Sequence, residues 1–142
     1  MAQQLRTGID VIEIVRIQRA VDRWGERFLR RTFTDRELAD CGAAGSDSPP
    51  WRYGSLAARW AAKEATAKAF GVGFRGLGAG GEPLGVTLLE IEVVRGPLRR
   101  PLLHLHGRAA QLAEQLGLRD LALSMSHARD YAVASVVGLC GL

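Results

Sequence analysis

The apolar and polar positions at the start of the chain follow two periods, and each period predicts one regular element. From Leu5 to Ile9 alternate side chains fall on one face, which predicts a short strand with Asp10 at its end. Downstream, apolar residues recur every three or four positions, which predicts a helix whose apolar stripe consists of Ile14, Ile17, Val21 and Trp24. A separate, cationic face of this helix carries Arg16, Arg19 and Arg23.

Two further helices are predicted in the middle of the chain. Thr34 and Glu37 have the spacing of a capping box, in which both side chains bind free backbone amides, so a short helix is expected over Asp35–Cys41. The segment Ser55–Phe70 contains seven alanines among Arg, Lys and Glu, all good helix formers, and Gly71 follows as a natural terminator. We therefore expect one long alanine-rich helix.

The C-terminal half is predicted to consist mainly of strands. One helix is expected over Gly107–Leu116, and the last two strands would form a hairpin through His127–Asp130. The predicted strands are Val86–Val94, Pro101–Leu105, Asp120–Ser126 and Tyr131–Val137.

Helices that come early and an antiparallel sheet that comes late predict an α+β fold. The length of 142 residues suits a single domain over residues 1–142. Two segments rich in glycine and other turn residues are predicted to be loops within it, Gly42–Pro50 and Val72–Gly85.

Composition and charge narrow the classes of function. Hydrophobic residues make up 47% of the chain and charged residues 24%, which is typical of a globular protein and excludes intrinsic disorder. The longest apolar stretches, such as Tyr131–Val137, are too short to span a membrane, and no secretory segment is indicated. The formal net charge of +4 points to an anionic partner. Cys41 and Cys140 form no CxxC pair, so we expect a reducing cytoplasm rather than a disulfide framework or zinc site.

Two carboxylates are candidates for binding a hard cation. Asp10 lies at a predicted strand-to-helix junction, and Glu64 lies within the alanine-rich helix. Magnesium is bound by one or two protein carboxylates and keeps positions for water and substrate phosphate, which suits a phosphorylated substrate. The alternatives are that Asp10 only caps the following helix and that Glu64 forms an ordinary i,i+4 ion pair with Lys68.

Basic residues near Glu64 could share the charge of a phosphate. Arg59, Lys63 and Lys68 lie on the same predicted helix, although their spacing puts them on more than one face, and a solvated surface is the alternative. His127 follows a predicted strand, where it could bind phosphate or move a proton; the alternative is a turn residue with satisfied hydrogen bonds.

Four sequence blocks, taken together and in order, resemble the holo-acyl carrier protein synthase family, the AcpS-type 4'-phosphopantetheinyl transferases. The blocks are G-I-D-V-I-E-I-V-R-I at residues 8–17, F-L-R-R-T-F-T-D-R-E at 28–37, A-A-R-W-A-A-K-E-A-T-A-K-A at 57–69, and S-M-S-H at 124–127 with Y-A-V-A at 131–134. They span nearly the whole chain, and the third is the most specific.

The resemblance implies a reaction and a set of residues. The phosphopantetheine arm of coenzyme A, the co-substrate, would be transferred to a serine of an apo acyl carrier protein, with release of adenosine 3',5'-bisphosphate. Asp10 and Glu64 would hold Mg²⁺, with Glu64 and Lys68 as catalytic residues. The expected contacts to the coenzyme A phosphates are Arg59, Lys63, Lys68 and His127. The serine proton would be taken by Glu64 or by a metal-bound water, and the sequence does not choose between them.

The resemblance also implies partners. An acidic carrier protein would be oriented by Arg16, Arg19 and Arg23, which would mainly raise the association rate. A homotrimer with interfacial active sites is implied, an arrangement in which Asp10 and Arg16 could come from one chain and Glu64 from its neighbour. Whether the carrier serves fatty acid, polyketide or peptide synthesis is left open.

A rival hypothesis is a non-enzymatic basic docking module for carrier proteins or nucleic acid. The aromatic residues are not interleaved with basic ones as in RNA-binding motifs, and no nucleic-acid motif is present, so neither nucleic acid nor membrane is an expected partner.

Overall fold

The computed structural model describes residues 2–42, 50–74 and 85–141, and the order of its elements is α+β as predicted. No helix within these residues is both long and apolar enough to cross a lipid bilayer. The helices and strands are β1 (Gln4–Glu13), α1 (Ile14–Trp24), α2 (Glu26–Thr32), α3 (Asp35–Cys41), α4 (Tyr53–Phe70), β2 (Ile91–Arg95), β3 (Pro101–Leu105), α5 (Gly107–Gln115), β4 (Leu118–Ala128) and β5 (Tyr131–Cys140).

Two antiparallel sheets organise these elements. The larger has the strand order β1-β5-β4, and the smaller is the hairpin of β2 and β3. The long helix α4 packs across one face of the larger sheet, and its alanines are buried there with Ala132, Ala134 and Val136 of β5. Small side chains on both sides let helix and sheet approach closely: a Cβ atom at Gly8 would collide with the carbonyl oxygen of Ala65. The alanine-rich composition therefore serves close packing as well as helix formation.

The predicted start signal of α3 and the predicted end signal of α4 are confirmed, although α4 begins at Tyr53 and not at the predicted Ser55. At α3, the Thr34 hydroxyl accepts a hydrogen bond from the Glu37 amide at 3.2 Å, and the Thr34 amide donates to the Glu37 carboxylate at 3.0 Å. At the end of α4, Gly71 adopts the left-handed conformation with φ of 76°. The loops predicted at Gly42–Pro50 and Val72–Gly85 fall largely outside the described residues.

The first strand is longer than predicted, which changes the position of Asp10. Pairing with β5 continues without interruption from Gln4 to Glu13, so Asp10 lies within the strand, opposite Ala134, and not at its end. The apolar face predicted from Leu5 to Ile9 points away from α4 and is exposed. The alternating pattern was correct for a strand, but both faces of this strand carry apolar residues.

Three further boundaries differ from the predictions. The helix α2 was not predicted. The first part of the predicted strand Val86–Val94 instead forms a 3₁₀ turn over Leu88–Glu90, because the Glu90 carboxylate accepts hydrogen bonds from the Thr87 amide at 2.7 Å and from the amide of Arg108 in α5. The final hairpin turns only at residues 129–130, so His127 lies in β4 and not in the turn.

Candidate active site

The carboxylate of Asp10 meets the C-terminal half of α4. Asp10 projects from the face of β1 that packs on this helix, and its Oδ1 lies 3.0 Å from the Lys68 ammonium. The same ammonium donates to the carbonyl oxygen of Ile9 at 3.0 Å. Lys68 is 55% exposed while Asp10 is only 17% exposed, so the aspartate is held beneath the lysine at the rim of the fold.

Glu64 completes this acidic cluster one helical turn before Lys68. Partial burial raises the pKa of the Glu64 carboxyl, the negative charge of Asp10 raises it further, and Lys68 and Arg16 oppose the shift. The Coulombic effect of Asp10 on Glu64 places both carboxylates in one electrostatic neighbourhood of a single chain. The resemblance allowed Asp10 and Arg16 to come from one chain and Glu64 from its neighbour; in the structure, β1, α1 and α4 of one chain bring all three together.

The donor set of this cluster fits a hard divalent cation. The described parts of the chain contain no group of three or more His, Cys, Asp or Glu side chains that could hold a metal ion. Within these residues, protein side chains alone therefore do not complete a metal coordination shell. Two carboxylates whose charges repel, beside open solvent, match the few protein ligands that Mg²⁺ takes when water and substrate phosphate fill its other positions.

A second site, whose described lining is basic, lies near the other end of α4. A pocket of about 270 Å³ is formed between the start of α4, the end of β4 and the β2–β3 hairpin. Its described lining contains no aspartate or glutamate, whereas its charged and titratable members are Arg59, Arg95, Arg99 and His127.

Arg59 and His127 are fixed in this pocket by the protein around them. Arg59 is only 5% exposed; its guanidinium lies 3.8 Å from the Asp40 carboxylate and 3.4 Å from the Ser55 carbonyl oxygen. Its Nε atom has no hydrogen-bond partner among the described residues. The imidazole of His127 lies against Gly54, where a Cβ atom would be 2.6 Å from Nδ1. The glycine thus makes room for the ring at the first turn of α4.

Lys63 does not join either site. It is fully buried, and its ammonium donates to the Glu37 carboxylate at 2.7 Å and to the carbonyl oxygens of Leu88 and Ile91 at 2.9 and 2.6 Å. With three acceptors for its three N–H groups, it has none left for a ligand. The expectation that Lys63 contacts coenzyme A is corrected: the structure gives this lysine a role inside the core.

The three arginines of α1 remain on the surface. Arg16, Arg19 and Arg23 are all exposed, and Arg16 is close enough to Glu64 to act on its pKa. The Arg23 guanidinium lies 4.9 Å from the centre of the Trp24 ring. Trp24 itself is 52% exposed, so it does not complete the buried stripe that periodicity predicted.

A family model for the 4'-phosphopantetheinyl transferase superfamily matches residues 6–136. The chain belongs to this superfamily. Among its relatives, the holo-[acyl-carrier-protein] synthase of Chloroflexus aggregans is 53% identical over 131 residues, covering 92% of this chain and 91% of the relative. The synthase of the same description from Herpetosiphon aurantiacus is 50% identical over 135 residues, covering 95% of this chain and 98% of the relative.

Solved structures of holo-ACP synthases share this transferase fold. The coenzyme A complex of the Chronobacterium ammoniagenes protein is 35% identical with a TM-score of 0.74, covering 95% of this chain and 96% of that one. The Helicobacter pylori synthase in complex with coenzyme A is 28% identical with a TM-score of 0.72, covering 93% and 98% of the two chains.

Two cations of the basic pocket in this transferase, Arg95 and Arg99, were not among the site residues predicted from the sequence. Arg95 and Arg99 flank a Gly-Pro step before β3, and no spacing pattern connected them with Arg59 and His127. The signal that could have found them is local: Pro101 opens β3, so the basic residues between Arg95 and Pro101 must form a tight connection next to the pocket.

Proposed function

We propose that this chain is a holo-[acyl-carrier-protein] synthase, which transfers the 4'-phosphopantetheine group of coenzyme A to a serine hydroxyl of an apo acyl carrier protein. The observation that carries the proposal is the separation of two charged sites on one helix. Coenzyme A has a diphosphate and a separate ribose phosphate, and α4 offers a mixed cluster at Asp10, Glu64 and Lys68 and a basic pocket at Arg59 and His127. The family and its named relatives support the same activity.

The reaction is a phosphoryl transfer. The serine oxygen attacks the phosphorus that carries the pantetheine arm, the bond from this phosphorus to the bridging oxygen of the diphosphate breaks, and adenosine 3',5'-bisphosphate leaves. Lys68 lies at the rim of the cluster, where its ammonium can stabilise charge that develops on the leaving phosphate. Glu64 takes the serine proton, directly or through a water molecule that it orders.

Magnesium belongs to this proposal. Asp10 and Glu64 would hold the ion, and once bound it would neutralise the diphosphate and polarise the phosphorus that is attacked. The mutual repulsion of the two carboxylates supports the assignment, since a divalent cation between them would remove it.

A homotrimer with active sites near its interfaces also belongs to the proposal. The face of the larger sheet that α4 does not cover is apolar, with Ile9 60% and Val11 58% exposed beside Leu5 and Val137. A monomeric protein rarely leaves such a face open, which supports burial by further copies of the chain. The exposed arginines of α1 would then orient an acidic carrier protein.

Both cysteines are free buried thiols, which suits the expected cytoplasmic location.

Intact-mass spectrometry tests the activity. Purified protein with Mg²⁺, coenzyme A and apo acyl carrier protein should add one phosphopantetheine group to the carrier. Asp10→Asn and Glu64→Gln should each lower the rate at least about a hundredfold, because they remove charge from the metal cluster while keeping side-chain shape. Glu114→Gln, an exposed change on α5, is the matched control and should react like the parent protein.

Two results would contradict the proposal. Absence of any mass shift across fatty acid, polyketide and peptide carrier proteins would remove the activity, and carrier binding without transfer would favour the docking module instead. Full activity of both Asp10→Asn and Glu64→Gln would contradict the assignment of these carboxylates to the metal, while the proposed transferase activity itself would stand.

A further inference from the structure

The β2–β3 hairpin closes with a turn that its sequence does not favour. The Arg100 amide donates to the Pro97 carbonyl oxygen at 3.2 Å, and the two central residues both have positive φ, 58° at Leu98 and 61° at Arg99. These values belong to a type I′ turn, for which Asn-Gly is the preferred pair because most other side chains are strained at positive φ. A leucine followed by an arginine is an unusual occupant.

Packing does not explain this choice of residues. Leu98 is 100% exposed, so its side chain gains nothing from the described protein that would offset the strain of its backbone. Arg99 is different, because this residue lines the basic pocket, whereas its neighbour Arg100 does not belong to the described lining.

The pocket contains a nearly buried cation with one unpartnered donor. Arg59 is nearly fully buried there with its Nε unpartnered among the described residues, and Ser55 lines the pocket from the first turn of α4. Arg52, the N-cap residue of that helix, makes no side-chain hydrogen bond to the helix start. The partial positive charge of the helix N-terminus is therefore not balanced by a capping side chain. Arg99 lines the same pocket from the hairpin of β2 and β3.

We propose that Arg99 is a specificity-determining residue: the left-handed turn presents its guanidinium to the ribose phosphomonoester of coenzyme A, which Arg59 and His127 bind from the other side. The inference rests on the proposed function, since it assigns part of the same ligand. A phosphomonoester carries close to two negative charges at neutral pH, and the planar fork of arginine matches its oxygens. An Asn-Gly pair would relax this turn but would carry no cation into the pocket.

Binding measurements on three variants test the role of Arg99. Isothermal titration should show that Arg99→Gln weakens coenzyme A and adenosine 3',5'-bisphosphate about tenfold or more, as expected for the loss of a charged hydrogen bond. The affinity for 3'-dephospho-coenzyme A should stay within about twofold, because that ligand lacks the phosphomonoester. Arg100→Gln makes the same charge change one residue away and should leave both affinities unchanged.

A double variant separates binding from folding. Leu98→Asn with Arg99→Gly installs the preferred turn pair, so its melting temperature should rise while its affinity for coenzyme A falls as in Arg99→Gln. A loss of affinity in a more stable protein cannot come from misfolding. Equal weakening by Arg99→Gln and Arg100→Gln, or equal weakening for coenzyme A and its dephospho form, would overturn the inference.

The same titrations distinguish failure of this inference from failure of the proposed function. If the parent protein binds neither coenzyme A nor adenosine 3',5'-bisphosphate, both are overturned. If the parent prefers coenzyme A to its dephospho form and Arg99→Gln keeps that preference, only the role of Arg99 is overturned.

Discussion

At the scale of single residues, Lys63 and Glu37 place an ion pair inside the core. Both side chains are fully buried; the Glu37 carboxylate accepts the Lys63 ammonium at 2.7 Å and the Val93 amide at 3.0 Å. Burial lowers the pKa of the Lys63 ammonium, and the negative charge of Glu37 opposes that shift. The pair connects α4 with α3 and β2. Because both side chains are buried, each charge is compensated mainly by the other.

Removing one member of this pair should destabilise the fold strongly. Lys63→Met leaves a buried carboxylate without its cation and should lower the free energy of unfolding by about 3–5 kcal/mol, measured by urea denaturation. Adding Glu37→Gln to Lys63→Met should recover part of that loss, because the two effects are coupled. Glu26→Gln, which breaks an exposed pair with Arg30, is the control and should cost less than about 1 kcal/mol. A Lys63→Met protein as stable as the control variant would contradict the interpretation.

Lys63 also shows why the sequence could place only part of the site. Adjacent residues of a helix point about 100° apart, so Lys63 and Glu64 cannot face the same partner. The spacing correctly put Glu64 and Lys68 on one face, but it could not say which neighbouring element covers Lys63. The three acceptors around its ammonium come from residues 25 to 28 positions away, and only the tertiary fold determines them.

At the scale of elements, Glu92 of β2 joins the starts of two helices. Its carboxylate accepts the hydroxyl of Thr34, the N-cap of α3, at 2.5 Å and lies 3.0 Å from Nε2 of His106, the N-cap of α5. Burial by itself would raise the pKa of Glu92, but the hydrogen bonds from Thr34 and His106 and nearby positive charge bring it below the ordinary 4.5.

This lowered pKa predicts an acid-dependent contribution to stability. Because the native pKa lies below that of the unfolded chain, ionised Glu92 stabilises the fold above pH 4.5, and the contribution is lost as the pH falls through the native pKa. Thermal melts should therefore show the largest difference between the parent protein and Glu92→Gln near neutral pH and a smaller one below pH 4.5. A difference that stays constant or grows on acidification would contradict this assignment; Glu114→Gln supplies the baseline.

The elements that were predicted well are those whose signals are local. The capping box of α3 and the alanines and terminal glycine of α4 lie within the helices that they define. The length of β1 was underestimated because its end is set by pairing with β5, the last strand of the chain. The 3₁₀ turn at Leu88–Glu90 depends on Glu90 capping α5, a contact 18 residues away.

At the scale of the whole molecule, the uncovered face of the larger sheet is the feature that a single chain does not explain. Leu5, Ile9, Val11 and Val137 expose their side chains on this face, while the opposite face forms the core against α4. Alternating apolar residues correctly predicted a strand at the start of the chain, yet the sequence could not show which face of it α4 would cover.

Replacing apolar residues of this face with lysine should dissociate the proposed trimer without unfolding the chain. Ile9→Lys with Val11→Lys should shift the protein from trimer to monomer in light scattering coupled to size-exclusion chromatography, since buried lysines oppose association. Far-ultraviolet circular dichroism should be unchanged, because neither side chain belongs to the core. Leu98→Lys, which replaces a fully exposed leucine elsewhere, should remain a trimer. A parent protein that is monomeric at micromolar concentration would contradict the assembly.

The absence of a side chain at Gly8 has a consequence for how this chain can vary. Position 8 sits two residues before Asp10 on the same strand face, directly beneath the backbone of α4 at Ala65. Even one methyl group there would collide with the backbone of α4, so β1 and α4 would have to move apart and the contact between Asp10 and Lys68 would be disturbed. A larger residue at position 8 would thus impair the proposed phosphoryl transfer, although Gly8 is not itself one of the candidate site residues.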